Sequence, residues 1–403
     1  MAGIDTRDHP ALTLFSGGNV LLPTGFERTD VLVAGERIHA VGPAAEASGL
    51  GALVEQRDIS GLTVVPGLVD AHAHVLGGGG GDGYATRIPE LRVADVTGNG
   101  ITTVVAAPGI DMVSRSMEGL LAKARGLTTD GMTAFIYIGG FRRPVATFTG
   151  SVWRDAYLIP DIIGVKLAVG DARAPSIETT ALVDLARDAA WAERARGQRL
   201  VIHLHLGTDP DGPDLVRDAL ARAPNPGRFI ITHCNWTRAS VEAAVDFVAD
   251  GAYADITTLM DPDHGLVDAV RPSAAIAELL ERGVDPTRVS MSTDGNGHVP
   301  AGTADGWEPY DPLMHTLLAQ ARALVTDYGV EKEVAVRTVT ETPATALGLE
   351  GRKGRIAAGA DADLLLLDDD MRPVGVYCRG REMVRDGKPV VRDRFELRHR
   401  AES

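Results

Sequence analysis

"TVVPGLVDAHAHVLGGGGGDG", residues 63–83, begins as an apolar run and ends in two histidines followed by five consecutive glycines. Side chains at i and i+2 of a strand point to the same side, so His72 and His74 present two imidazoles together. Glycine then lets the chain turn sharply, or approach a ligand with no Cβ in the way. The stretch reads as half a metal site at a strand end; a surface histidine pair before a flexible turn is the plainer alternative. Repetition along the chain decides between them. Seven further apolar runs follow: "ITTVVAAPG" (101–109), "MTAFIYIGG" (132–140), "DIIGVKLAVG" (161–170), "RLVIHLHLG" (199–207), "RFIITHCN" (228–235), "AYADITTL" (252–259) and "RVSMSTDG" (288–295). Amphipathic stretches such as "TTALVDLARDAAWAERARG" separate them. Eight near-continuous apolar strands alternating with helices predict a parallel sheet covered by helices, closed as a (β/α)₈ TIM barrel over residues 67–349. An open doubly wound sheet is the alternative, but no GxGxxG follows the first strand.

Short strand-like runs with turn residues between them occupy both ends of the chain, for example "TDVLVAGERIHAVG" and "PVGVYCRGREMVRDGKPV". They predict one small β-sandwich domain, discontinuous in sequence, built from residues 1–66 and 350–403. The overall class is α/β.

In a barrel the C-terminal strand ends converge on one face, where active sites sit. Polar residues out of place in apolar strands collect there: His72 and His74 on the first strand, Lys166 on the fourth, His203 and His205 on the fifth, His233 on the sixth and Asp294 on the eighth. Each has an ordinary structural reading. A lone histidine on an apolar strand is usually a hydrogen-bonded core residue. Lys166 could be a salt-bridged barrel lysine with Asp171 as its partner, and Asp294 in "STDGNG" could serve a turn. Their joint occurrence at corresponding positions favours chemistry. Neutral imidazoles and a carboxylate suit zinc or a similar first-row dication. A buried lysine has a depressed pKa, and its neutral amine can add carbon dioxide. The resulting carbamate could bridge two metals, with Asp294 holding the bridging hydroxide and shuttling its proton to a leaving group.

With 44% hydrophobic and 24% charged residues the chain of 403 reads as globular. A formal charge of −15 argues against nucleic acid or an anionic membrane as partner; a small-molecule substrate is expected, though the charge alone does not reveal it. Cys234 and Cys378 form no framework and suit a reducing cytosol, so a cytoplasmic protein is expected. The N-terminal stretch does not read as a secretory signal, and no apolar run is long enough to span a bilayer.

At this point the sequence resembles the amidohydrolase superfamily, and within it the isoaspartyl dipeptidase family. The cues are "PGLVDAHAH", "GVKLAVGDAR", "HLG", "THCN", "STDGNG" and the tail "GRIAAGADADLLLLD", together with the more specific "GITTVVAAPGIDMVSRSMEGLLAKARGL" and "TFTGSV". The resemblance runs over almost the whole chain. It implies a homo-oligomer and two zinc ions per chain, one on His72, His74, Asp294 and carboxylated Lys166, the other on Lys166, His205 and His233. Mn²⁺, Fe²⁺ or Co²⁺ could also occupy such a set. It implies hydrolysis of a carbon–nitrogen amide bond, with Asp294 and Lys166 catalytic.

The substrate residues depart from that family. It has a glutamate where this chain has Gly81, a threonine at Ile110, a tyrosine at Phe141, an arginine at Trp236 and a serine at His298; Arg173 is kept. Asp82 and Arg238 are the nearest replacements for the lost charges. His203 is a second-layer partner or a substrate contact, and His298 faces either the pocket or solvent. The expected substrate has one carboxylate, for Arg173, and an apolar part, for Ile110, Phe141 and Trp236, with no essential free α-amino group. An isoaspartyl dipeptidase proper and a hydrolytic deaminase are the alternatives.

Overall fold

The computed structural model describes residues 12–42, 54–81, 83–297 and 311–394. Eight parallel strands pair in chain order: β6 (Leu68–Ala73), β7 (Ile101–Ala106), β8 (Thr133–Gly140), β9 (Ile162–Val169), β10 (Val201–Leu206), β11 (Phe229–Thr232), β12 (Tyr253–Thr257) and β13 (Val289–Ser292). β6, β9 and β10 are buried along their whole length, because helices cover one face and the barrel interior the other. The barrel closes between its first and last strands. Ala73 bridges Gly295 in parallel, the Asp294 amide donates to the His72 carbonyl at 2.8 Å, and the His74 amide donates to the Gly295 carbonyl at 2.9 Å. The buried Asp70 carboxylate fastens the same seam by accepting from the Thr293 amide at 3.0 Å and its hydroxyl at 2.5 Å.

The helices are α1 (Val93–Thr97), α2 (Met117–Thr129), α3 (Val152–Leu158), α4 (Thr179–Arg196), α5 (Gly212–Arg222), α6 (Arg238–Ala249), α7 (Pro272–Glu281), α8 (Thr316–Thr326), α9 (Lys332–Arg337) and α10 (Glu341–Ala346). α4 shows why they form. Leu182, Leu185, Ala186, Ala189 and Ala192 recur at helical spacing on the buried side, and Gly197 ends the helix with a left-handed φ of 72°. Among the described residues, no helix is long and apolar enough to cross a membrane.

The second sheet comes from both ends of the chain: β1 (Leu12–Leu22), β2 (Gly25–Ala34), β3 (Arg37–Val41), β4 (Val54–Asp58) and β5 (Thr63–Pro66), then β14 (Leu364–Leu367), β15 (Pro373–Cys378), β16 (Arg381–Arg385) and β17 (Lys388–Pro389). Its order is β17-β16-β15-β14-β5-β1-β2-β3, with β4 also paired to β1. Phe15, Val31, Ile38, Leu364 and Tyr377 belong to its own apolar core. The run 63–74 is divided at Gly67 between the two sheets. A Cβ there would meet the Thr102 side chain at 2.3 Å, so only glycine lets the chain pass so close to β7. Lys353 joins the two parts: its buried ammonium bonds Asp361 at 2.9 Å, Asp363 at 2.6 Å and the hydroxyl of Thr133 on barrel strand β8 at 2.7 Å.

Candidate active site

His72 lies within β6, and His74 follows its last residue; both are buried. His233 and Asp294 follow β11 and β13 with left-handed φ values of 68° and 50°. Non-glycine residues adopt this conformation at a cost, and such strain collects at functional sites. The Nε2 atoms of His74 and His72 lie 3.0 and 3.3 Å from Asp294 Oδ1. The ligand atoms of these three residues all fall within 4.8 Å of one another, so the group could hold a metal ion. Lys166 is buried in β9 with its Nζ 2.7 Å from His72 Nε2. His233 bonds Thr257 Oγ1 through Nδ1 at 2.7 Å, which fixes the ring and leaves Nε2 buried without a hydrogen-bond partner.

Burial sets the protonation of this cluster. It pulls His72, His74 and His233 below the ordinary imidazole range, and neighbouring Lys166 adds to the effect, so all three rings offer lone pairs. Burial also takes Lys166 down to about 8. It pushes the Asp294 carboxyl up, but the hydrogen bond from His74 and the charge of Lys166 outweigh it and hold the group below the usual carboxylate range.

Two loops lock the cluster in place. A Cβ on Gly78 would meet the Gly297 carbonyl oxygen at 2.3 Å, so the glycine run after His74 lies directly against the loop after Asp294. The Gly78 amide donates to the Asn296 carbonyl at 2.8 Å, and the Asn296 side chain donates to the His74 carbonyl at 3.0 Å. Arg115 donates to the Gly77 and Ile88 carbonyls beneath the run.

Above the cluster opens a cavity of about 590 Å³. His74, Lys166, His205 and Asp294 line one side, and Ile110, Phe141, Trp236, Leu259, Met260 and Leu266 supply apolar wall. Gly81 adds no side chain. Arg142 and Arg173 are the arginines among the described residues that line it, and the Arg173 guanidinium sits 5.4 Å from the Phe141 ring centre and 5.5 Å from that of Trp236.

A barrel with this group, which could hold a metal, at its strand ends, and a second sheet drawn from both termini, accords with a family model that matches residues 63–383, the amidohydrolase family. The chain belongs to the amidohydrolase family. An imidazolonepropionase of Acidiphilium cryptum is 28% identical to this amidohydrolase over 90% of each chain. An adenine deaminase of Methanoregula boonei is 24% identical over 84% of this chain and 53% of its own length. The crystal structure of a β-aspartyl dipeptidase from Fervidobacterium islandicum superposes with a TM-score of 0.83 at 29% identity, covering 94% of this amidohydrolase and 98% of that chain. A D-hydantoinase, at 19% identity and a TM-score of 0.68, shares the fold.

Several residues of this amidohydrolase sit otherwise than the sequence suggests. Asp171 is not the partner of Lys166. It takes a two-pronged bond from Arg173, at 2.9 and 2.6 Å, and lies 2.7 Å from His205 Nε2. His205 therefore faces Asp171, although its ring centre is only 4.4 Å from that of His233. Burial lowers His205 to about 4, against the pull of Asp171. His203 lies beneath His72, stacked on Tyr137 at 4.7 Å, and is not among the residues lining the cavity. Arg238 begins α6 on the outside, paired with Glu278 and Glu242, and also lies away from the cavity. Asp82 and His298 lie outside the described residues. Sequence reading missed Arg142, Thr257 and the buried Asp255, which accepts from Thr232, Ser290 and Ser292 across three strands. For Arg142 the available signal was a doubled arginine directly after Phe141 at a strand end.

Proposed function

We propose that this chain hydrolyses a carbon–nitrogen amide bond, linear or cyclic, in a small substrate with one carboxylate and an apolar part. The observation that carries this reading is the convergence of His72, His74 and Asp294 at the floor of a cavity with apolar walls and two arginines. The donor set fits divalent metal. The imidazoles are neutral, and His233 Nε2 is buried without a hydrogen-bond partner. His72, His74 and Asp294 would hold one ion and His205 and His233 a second, with carboxylated Lys166 shared between them and zinc the first choice of metal. Bound ions would supply Lewis acidity and make water acidic enough to attack at neutral pH. Asp294 takes the proton of the attacking water as its oxygen bonds the carbonyl carbon; it returns that proton to the nitrogen as the C–N bond breaks. Phe141, Trp236 and Ile110 shed water around the apolar part of the substrate. Gly81 offers no carboxylate to a substrate ammonium. A cytoplasmic homo-oligomer is part of the same reading.

Similarity to the β-aspartyl dipeptidase favours a second reading, turnover of β-Asp-Leu, the dipeptide with which that enzyme has been crystallised. The adenine deaminase relative adds deamination, which ammonia release would reveal. The test compares kcat/KM for β-Asp-Leu, N-acyl amino acids and cyclic amides with metal-replete enzyme. Burying an unpaired ammonium costs several kcal/mol, so β-Asp-Leu should be poorer by roughly a thousandfold. A β-Asp-Leu value near 10⁴ M⁻¹s⁻¹, or about that of an ordinary enzyme on its substrate, would overturn the proposed substrate class.

A further inference from the structure

We propose that Arg142 is the specificity-determining residue that binds the substrate's carboxylate, a role the kept arginine, Arg173, is poorly placed to fill. The proposal rests on the amide-hydrolase reading and names the anion site within it. Arg173 spends Nε and Nη2 on Asp171, and Asp171 in turn holds His205. Turning Arg173 toward a substrate would break two charge-assisted hydrogen bonds and leave a nearly buried carboxylate without its main cation. Arg238, the other arginine near Trp236 in sequence, is engaged by glutamates outside the cavity.

Arg142 differs from both. It follows β8, lines the cavity beside Phe141, and makes one hydrogen bond, from Nη1 to the Arg173 carbonyl at 3.2 Å. Among the described residues no carboxylate pairs with it. That single bond ties the arginine to the 171–173 loop and leaves most of its fork of five N–H donors for a ligand. A substrate then fits in one order: scissile amide toward His74 and Asp294, apolar body against Phe141 and Trp236, carboxylate on Arg142. In a chain of net charge −15, a cation at the cavity also supplies local attraction for an anionic substrate.

The test uses two small probes that need no turnover, 3-phenylpropanoate and 3-phenylpropan-1-ol, which differ in the carboxylate. Calorimetric titration of metal-replete wild type should show the acid bound more tightly than the alcohol. Arg142→Gln should weaken the acid by about tenfold to a hundredfold and leave the alcohol unchanged, with Arg142→Lys in between. Arg142 is exposed and outside any core, so its variants should melt with the wild type. Equal binding of acid and alcohol by wild type, no binding of the acid, or an Arg142→Gln variant that keeps the preference while Arg173→Gln loses it, would each overturn the proposal. Amide turnover is scored separately. If no amide is cleaved while the binding pattern holds, hydrolysis falls and the Arg142 assignment stands.

Discussion

Asp294 adopts φ 50° with its carboxylate against His74, and the left-handed turn aims one oxygen at the cluster. Asp294→Asn keeps the shape and tolerates the same backbone, but an amide neither takes a proton from water nor returns one to nitrogen. We expect the variant to fold as wild type by circular dichroism and to lose about three orders of magnitude or more in kcat; near-normal kcat would assign the base elsewhere. Gly81 permits a gain-of-function test. A Cβ there would make ordinary contacts with Ile110, at 3.4 and 3.5 Å, so Gly81→Glu can be accommodated. That variant should raise kcat/KM for β-Asp-Leu by about tenfold or more through a charge-assisted bond to the ammonium, and an unchanged value would show that Gly81 does not face the amino group. The histidines and Lys166 were legible because polar residues stand out in apolar strands. The partner of Asp171 was not, because an acid near both a lysine and an arginine in sequence chooses between them only in three dimensions. Arg238 misled for the same reason: two residues beyond Trp236, it begins a helix that carries it outside.

At the scale of elements, the barrel was legible from eight apolar runs, since strands covered on both faces alternate with amphipathic helices. The need for glycine at position 67 was not, because the cause is the side chain of Thr102 on a neighbouring strand. The glycine run shows the same dependence. Its freedom was readable, but its purpose, close packing against residues 295–297, belongs to the seam between the first and last strands. Gly78→Ala should force those loops apart, because the added carbon meets backbone rather than a flexible side chain. We expect a loss of about 1–3 kcal/mol in stability together with weaker metal retention. Gly81→Ala, in the same run, should change neither. Equal behaviour of the two variants in thermal melts and metal analysis would refute the packing argument.

Across the whole molecule, the contribution of both termini to one sheet was legible from matching strand-and-turn patterns at the two ends. The link to the barrel was not, because Lys353, Asp361 and Asp363 look like ordinary surface charges in sequence and are buried in the fold. Lys353→Met would leave two buried carboxylates without their ammonium, at a cost of roughly 3–5 kcal/mol, read as a lower denaturant midpoint; a shift under about 1 kcal/mol would make the cluster incidental. Burial pushes the Asp361 carboxyl up, but Lys353, Arg352 and Arg37 pull harder and hold it below its ordinary 3.8. Its contribution to stability is therefore complete above about pH 4 and is lost as pH falls toward the depressed value. Denaturation followed from pH 6 down to 2 should show that loss in wild type and less of it in Lys353→Met. The central claim, that strand ends across the barrel assemble one metal centre, is tested most directly by elemental analysis of purified wild type and Lys166→Ala. About two divalent ions per chain are expected in wild type, with loss of metal and activity together in the variant. A wild-type chain with no bound metal and no activity gained from added Zn²⁺ or Mn²⁺, or a Lys166→Ala variant with full metal content and full rate, would contradict it.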